Sequence, residues 1–322
     1  MINPYSSVNW GTVNRVMSCS HEHCETQAQF ETLLGGGIEH IAISNYYPSE
    51  PVYPLSDKFE NIPSGIIASR NAEHHQISIS NLHLNGLGSR FTSGKERGET
   101  PIGCNNADWR FVIGQILANL QYADSGGVTI NHPNWSHLTF NQVIKMLDYD
   151  DRVLGIEFYN QTSEADTETG WALELWDDIL ETGRRCWGFA VADHGGQANS
   201  NWIGRNILLV STKDDHNCLR AYRNGCFYGQ LHNTNLAFTD ISYSNGTVSA
   251  SAQNATSIDI IVDGVKTTTS GTSATKSGIS GAKYCRVEAH SADDSIYSNP
   301  IMINPKSFKK KNNTTNILLG IV

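Results

Sequence analysis

The sequence predicts an α/β chain whose first two-thirds build a mainly parallel sheet or barrel and whose last third builds a small antiparallel β domain. Three observations carry this. From residue 16 to about 230, short apolar runs alternate with helical patterns, the signature of βα units. After about residue 235 the helical periodicity stops, and short Ser/Thr/Val/Ile runs follow with turn signals at Asn245-Gly246 and Asp263-Gly264. The 322 residues also exceed one α/β domain of roughly 200 to 250, and 39 % hydrophobic with 17 % charged residues is the composition of a folded protein. The expected division is 1–235, 236–305 and a polar tail over 306–322.

Strands are expected at Val16–Cys19, Ile38–Ser44, Ile66–Ser69, Ile77–Asn85, Gly127–Asn131, Val153–Phe158, Cys186–Ala192 and Ile207–Ser211. Helices fall between them. Trp109–Tyr122 carries apolar residues at 109, 112, 113, 116, 117 and 120 and stops at Gly126-Gly127. Thr139 is an N-cap for 140–148, with Phe140, Val143, Ile144 and Leu147 on one face. Trp171–Glu181 places Trp171, Leu173, Leu175, Trp176, Ile179 and Leu180 at helical spacing and ends at Gly183. The stretch 266–282, rich in Thr, Ser and Gly, reads as a long loop or weakly patterned strand, and Lys309–Lys311 as a solvated end.

Composition narrows the function classes. Twenty-three Lys+Arg against 32 Asp+Glu give a net charge of −9, the wrong sign for a protein that holds nucleic acid through its backbone. The start lacks a basic, apolar leader and no window reaches the length of a membrane span, so a soluble, cytoplasmic protein with no membrane partner is expected. Seven cysteines without a C-x-x-C pair signal neither a zinc finger nor a disulfide framework. Twelve histidines are more than structure alone calls for, and metal binding or proton transfer uses them.

Their placement is informative. His21-Glu22-His23 follows the first strand, and side chains two apart on extended backbone point the same way, so both imidazoles can reach one ion. His132 follows the Gly127–Asn131 strand and Asp193-His194 the Cys186–Ala192 strand. Glu73 in Asn71-Ala72-Glu73-His74-His75 could bridge ions, and His83 alternates with Leu82 and Leu84. Glu157 ends another strand, as a direct ligand or as the partner that orients a ligand histidine. Ligands at the ends of several strands form a common mouth in α/β barrels, and a mixed imidazole and carboxylate shell without thiolates suits zinc, manganese or iron.

The ordered set His21-x-His23, Glu73, His83, Asn131-His132-Pro133, Gly155-Ile156-Glu157-Phe158-Tyr159-Asn160 and Trp187–His194 resembles the PHP (polymerase and histidinol phosphatase) family of metal-dependent phosphoesterases over roughly residues 16–235. The resemblance implies a distorted (β/α)7 barrel of PHP type with up to three metal ions in its mouth, followed by a small antiparallel β-sandwich-like domain. It assigns the metals to His21, His23, Glu73, His83, His132, Asp193 and His194, with His194 and Asp193 as catalytic groups. The expected reaction is hydrolysis of a phosphate mono- or diester of a small phosphorylated substrate. Glu157, Arg90, Arg205 and Asn134 are candidates for orienting ligands or binding substrate, and Trp135, Tyr159 and Trp202 for an aromatic wall. The chain departs from the family where Ser44-Asn45-Tyr46 replaces the usual Thr-Asp-His, where Ala28-Gln29 replaces an acidic residue, and where Asp193 and His194 are adjacent. Two divalent ions, with the third site weakened or lost, are therefore expected. The rival readings are another metal-dependent hydrolase acting on amides or esters, and a degenerate barrel that binds metal or carbohydrate.

Overall fold

The computed structural model describes residues 1–47, 52–75, 77–79, 81–91, 107–195 and 203–306. In chain order its elements are β1 (Asn14–Cys19), α1 (Gln27–Gly35), β2 (His40–Ile41), β3 (Tyr46–Tyr47), β4 (Ile67–Ala68), β5 (Glu73–His74), β6 (Leu84–Leu87), α2 (Trp109–Ala118), β7 (Gly127–Ile130), α3 (Phe140–Leu147), β8 (Val153–Asn160), α4 (Gln161–Thr167) and α5 (Leu173–Glu181). There follow β9 (Trp187–Val191), β10 (Ile203–Val210), α6 (Asp215–Asn224), β11 (Phe227–His232), β12 (Ala237–Ser244), β13 (Thr247–Gln253), β14 (Ser257–Val262), β15 (Val265–Ser270), β16 (Ser273–Ser277), β17 (Tyr284–His290), β18 (Ser295–Ser298) and β19 (Ile301–Met302). Among the described residues no helix is long and apolar enough to cross a membrane.

Helix ends follow local chemistry. Thr139 caps α3 in a reciprocal box with Gln142, and Thr26 does the same for α1 with Gln29. Helix α2 stops at Ala118, short of the expected Tyr122, because Leu120 leaves to bridge Ser89. Helix α5 starts at Leu173 because Trp171 bridges Tyr159 in extended form. The stretch 266–282 contains most of β15 and all of β16, joined by a turn at Gly271.

The expected closed barrel of parallel strands is not what forms. The strands make two open, mixed sheets: one of six strands in the order β3-β5-β6-β7-β8-β9, and one of ten in the order β4-β2-β1-β10-β11-β18-β17-β14-β15 with β19 on β17. Parallel pairing survives in β1/β2/β4, β3/β5 and β7/β8/β9. Strand β6 runs antiparallel to β5, the short span after His74 leaving no room for the crossover that parallel pairing needs, and it is antiparallel to β7 as well. The ladder does not close back on β9, since β11 pairs instead with β18 through Tyr228 and Ser298. Side-chain amides span the gap: Ala190 N–H donates to Asn206 Oδ1 at 3.2 Å, and Gly188 N–H to Asn299 Oδ1 at 2.8 Å.

The ten-stranded sheet thus runs from residues before 235 into residues after it. A three-stranded sheet, β12-β13-β16, stacks on its far part. Phe238, Ile241, Val248 and Ala250 face Ile258, Ile260, Val287 and Ala289 in one buried core, which also takes in Ile207, Leu209 and Tyr228 from the first part. Arg286 of β17 reaches back to α5, donating to both oxygens of Asp177 at 2.8 and 2.7 Å. The six described cysteines form no disulfide; Cys104 lies outside the described residues, as do Trp202 and Lys309–Lys311.

Candidate metal centre

The site lies where the two sheets approach each other at the ends of β1, β7, β8 and β9. Beyond β1 the chain stays extended, and Glu22 forms an isolated parallel bridge to Asp193. His23 N–H donates to Asp193 C=O at 2.7 Å and Asp193 N–H to His21 C=O at 3.2 Å. That bridge holds Asp193 against the His21-x-His23 pair. On β5, Glu73 points into the site while His74 points away to stack on Phe91, as alternation on a strand requires. The antiparallel register sets Glu73 opposite Asn85 and His74 opposite Leu84, which brings His83 beside Glu73.

Strand β8 contains the device least visible in the sequence. Its pairing with β9 shifts between Glu157 and Tyr159, so the strand is bulged at Phe158. On a regular strand Tyr159 would share the face of Glu157; after the bulge Asn160 does so, and Tyr159 turns away to Trp171, 4.5 Å between ring centroids. Asn160 then donates through Nδ2 to Glu157 Oε2 at 2.9 Å and to Asp193 Oδ2 at 3.0 Å, while its Oδ1 accepts from Ser163 N–H and caps α4.

Glu73 is the hub. Its Oε1 lies 3.0 Å from His83 Nδ1, 3.2 Å from His132 Nε2 and 3.3 Å from His21 Nε2, and its Oε2 lies 3.0 Å from His23 Nε2. Asp193 Oδ1 lies 3.1 Å from His21 Nε2 and 3.4 Å from His23 Nε2, yet among the described residues it accepts no hydrogen bond although buried. His194 is at the edge, 3.6 Å from Asp193 Oδ1 and stacked on His23 at 4.4 Å. Glu157 accepts from His21 Nδ1 at 2.7 Å and from His132 N–H at 2.8 Å. A carboxylate can only accept, so His21 carries a proton on Nδ1, and Nε2, which faces Asp193 and Glu73, is the nitrogen left for an ion. Ser136 Oγ holds the His132 ring through Nδ1 at 3.0 Å, as donor or acceptor.

The groups fit a divalent ion. Ligand atoms about 2.0–2.1 Å from a tetrahedral zinc stand roughly 3.3 Å from one another, which is the spacing seen around Glu73 and Asp193. Three sets of donors converge: His21, His23 and Glu73; His23, Asp193 and His194; and Glu73, His83 and His132. Left to themselves, the two Nε2 atoms of His21 and His23, 3.3 Å apart, and the Asp193 oxygen without a donor would be a poorly satisfied buried cluster. The backbone is also strained here, with His132 at φ 25° and Asp193 at φ 69°, neither of them glycine; such residues cost of order 1–3 kcal/mol each and cluster at functional sites.

The charges agree. Burial resists ionising Glu73 and Asp193, but His21 and the other imidazoles beside them hold both carboxylates well below the usual range. Burial likewise opposes a charge on His21, and Asp193, Glu157 and Glu73 overcome it and raise its pKa.

Of the residues singled out in the sequence, His21, His23, Glu73, His83, His132, Asp193, His194 and Glu157 meet in this cluster. Trp135 packs edge-on against His132 at 4.9 Å and near His83 at 5.5 Å. Asn134 donates to Trp171 C=O and Tyr159 packs on Trp171, both beside the cluster without joining it. Arg205 is not brought in: it is fully buried, with its guanidinium 3.4 Å from Gly36 C=O. Arg90 stands exposed after β6, its backbone bonded to Asn119 C=O. Sequence reasoning missed the supporting roles of Asn131, which donates to Glu73 Oε1 at 2.8 Å, and of Asn160 and Ser136. It also missed Tyr46, whose ring lies 4.3 Å from that of His23.

No family model and no curated protein matches the chain. Among solved structures, it is similar to a two-domain protein from Bacteroides vulgatus containing a predicted PHP-like metal-dependent phosphoesterase, at 11 % identity and a TM-score of 0.48 over 94 % of this chain and 97 % of that one.

Proposed function

We propose that the chain is a metal-dependent phosphoesterase of PHP type that hydrolyses a phosphate mono- or diester with two divalent ions of the zinc, manganese or iron kind. The observation that carries this reading is Glu73, one buried carboxylate whose two oxygens meet four imidazoles. One ring nitrogen serves one ion. His23 Nε2 belongs to two of the three donor sets, so those two sets describe one ion, which His21, His23, Asp193 and Glu73 would hold with His194 at its edge. Glu73, His83 and His132 would hold the second ion. Paired divalent ions supply an activated water at neutral pH and neutralise charge on the phosphoryl oxygens.

The protein's own groups have separable tasks. Glu157 fixes the proton on His21 Nδ1 and Ser136 orients the His132 ring; Asn131 and Asn160 hold the carboxylates in place. His194 has the most exposed side chain of the five imidazoles, at 28 %, and it moves the proton of the leaving group. Burial lowers its pKa, Asp193 opposing and His23 and His21 adding to the fall, and its exposed edge lets it take up from solvent the proton it passes to the leaving oxygen.

Elemental analysis together with turnover of p-nitrophenyl phosphate, bis-p-nitrophenyl phosphate and p-nitrophenyl acetate tests this. The expected outcome is two ions per chain, hydrolysis of a phosphate ester, and loss of both activity and one ion in His132→Ala. Three tightly bound ions, or no phosphate ester turned over with manganese, zinc or iron supplied, overturns it.

A further inference from the structure

The donor set is deeply buried: His21, His23, Glu73, Asp193 and His132 are each at most 6 % exposed. Tyr46 beside them is 37 % exposed. A single exposed aromatic side chain is ordinary, whereas a group of them rimming a closed site presents a flat apolar surface to a ligand. Tyr46 does not stand alone. Its ring centroid lies 4.3 Å from that of His23, 4.9 Å from His75 and 6.3 Å from His83. On the β7 side Trp135, itself half-buried, covers His83 and His132. His75 is two residues beyond Glu73 and across the strand pair from His83, with 5.8 Å between their rings, so alternation turns it toward the same opening. Tyr46, His75 and Trp135 therefore rim the centre with aromatic surface.

We propose that this rim selects substrates in which a planar ring is carried next to the phosphate, as in an aryl phosphate ester, with Tyr46 as the specificity-determining residue that stacks on that ring. The inference rests on the phosphoesterase reading for its phosphate and on the rim for its ring. Anionic, metal-directed contact positions the phosphate whatever its substituent; stacking on Tyr46 separates a ring from an alkyl chain of similar charge. An aromatic contact of this kind corresponds to about a 3- to 10-fold difference in affinity.

The test uses non-hydrolysable ligands, so that binding is read apart from turnover. Metal-loaded protein is titrated calorimetrically with phenylphosphonate and with methylphosphonate. The expected result is about 3- to 10-fold tighter binding of phenylphosphonate, retained in Tyr46→Phe and lost in Tyr46→Leu, with methylphosphonate binding and metal content alike in all three proteins. Equal binding of the two ligands by the wild type overturns the inference even where phosphate esters are hydrolysed. Parallel weakening of both ligands in Tyr46→Leu also overturns it, because it marks a residue that only supports His23. Tighter phenylphosphonate binding without turnover of any phosphate ester sinks the phosphoesterase reading and leaves the ring-selective rim standing.

Discussion

Replacing Glu157 with Gln is the sharpest test of how the centre is built, because shape is kept while hydrogen-bond polarity changes. Glu157 receives three protons: from His21 Nδ1 on Oε1, and from His132 N–H and Asn160 Nδ2 on Oε2. A glutamine has one accepting oxygen and two orientations. With the amide oxygen toward His21, the NH2 group faces two buried donors, and leaving each unsatisfied costs about 1–3 kcal/mol, or roughly 2–6 kcal/mol together. With the oxygen toward His132 and Asn160 every donor is met, but the NH2 now donates to His21 Nδ1 and drives the imidazole proton to Nε2. Even the lower figure favours the second orientation about 25-fold or more. His21 Nε2, protonated, is then lost as a ligand. The variant is expected to fold, with metal-free stability within about 2 kcal/mol of the wild type, and to bind its ions about 10- to 100-fold more weakly, the usual effect of removing a partner that orients a ligand. Equilibrium dialysis against zinc or manganese measures the affinity, and the nitrogen shifts of His21 in NMR report the tautomer. Undiminished affinity with His21 still protonated on Nδ1 would refute the reasoning.

Two further predictions concern the frame around the site. Burial holds the pKa of His40 and of His74 down to about 3, so both are neutral in the fold. A histidine whose folded pKa is depressed contributes stability that is full above its unfolded value near 6.5 and is lost as pH falls toward the folded value. His21 and His132, raised, are charged in both states below pH 6.5, and Glu73 and Asp193, depressed, are lost only at lower pH. Urea unfolding of metal-free protein should therefore show a fall of roughly 2–3 kcal/mol per histidine between pH 6.5 and 4.5, and a flat profile there contradicts the burial argument. The second is Gly188→Ala: a Cβ would stand 2.4 to 2.7 Å from ring atoms of Trp176. Trp176 is fully buried and tied to Cys186 C=O at 3.0 Å, so it cannot swing aside. A loss of about 3 kcal/mol or more, the upper end for overpacking, is expected in thermal or urea unfolding; a loss under about 1 kcal/mol would show that the indole yields.

Much of the α/β frame was legible because it rests on local signals. Thr139 with Gln142, the apolar face of α3 and the runs that became β7, β8 and β9 state their own structure. The closure did not follow from those signals. Whether β11 pairs with β9 or with β18 depends on the register Tyr228↔Ser298 between segments some seventy residues apart, and no local pattern encodes it. The same holds for Asn206 and Asn299, which read as ordinary polar residues and act as the bridges between the sheets. Of the shortest strands, β2 and β4 are shorter than the expected runs Ile38–Ser44 and Ile66–Ser69, and β3 and β5 were not expected at all, because two paired residues leave hardly any periodicity to read.

The site was legible for a different reason. Ligand residues are rare types placed at strand ends, and a buried imidazole or carboxylate needs a partner, so their recurrence after β1, β7 and β9 already implied convergence. What holds them could not be read in the same way, because the supporting chemistry is carried by common residues. Asn160 beside Glu157 is three positions along a strand, a spacing that alternation assigns to opposite faces, and only the bulge at Phe158 brings the two together. The consequence is mechanical: one amide steadies Glu157 and Asp193 at once and also starts α4, so the ends of β8 and β9 and the first turn of that helix share a single fastening. Loosening it would disturb both His21, through Glu157, and the shell containing Asp193. The fastening is therefore as much a part of the centre as the ligands it aligns.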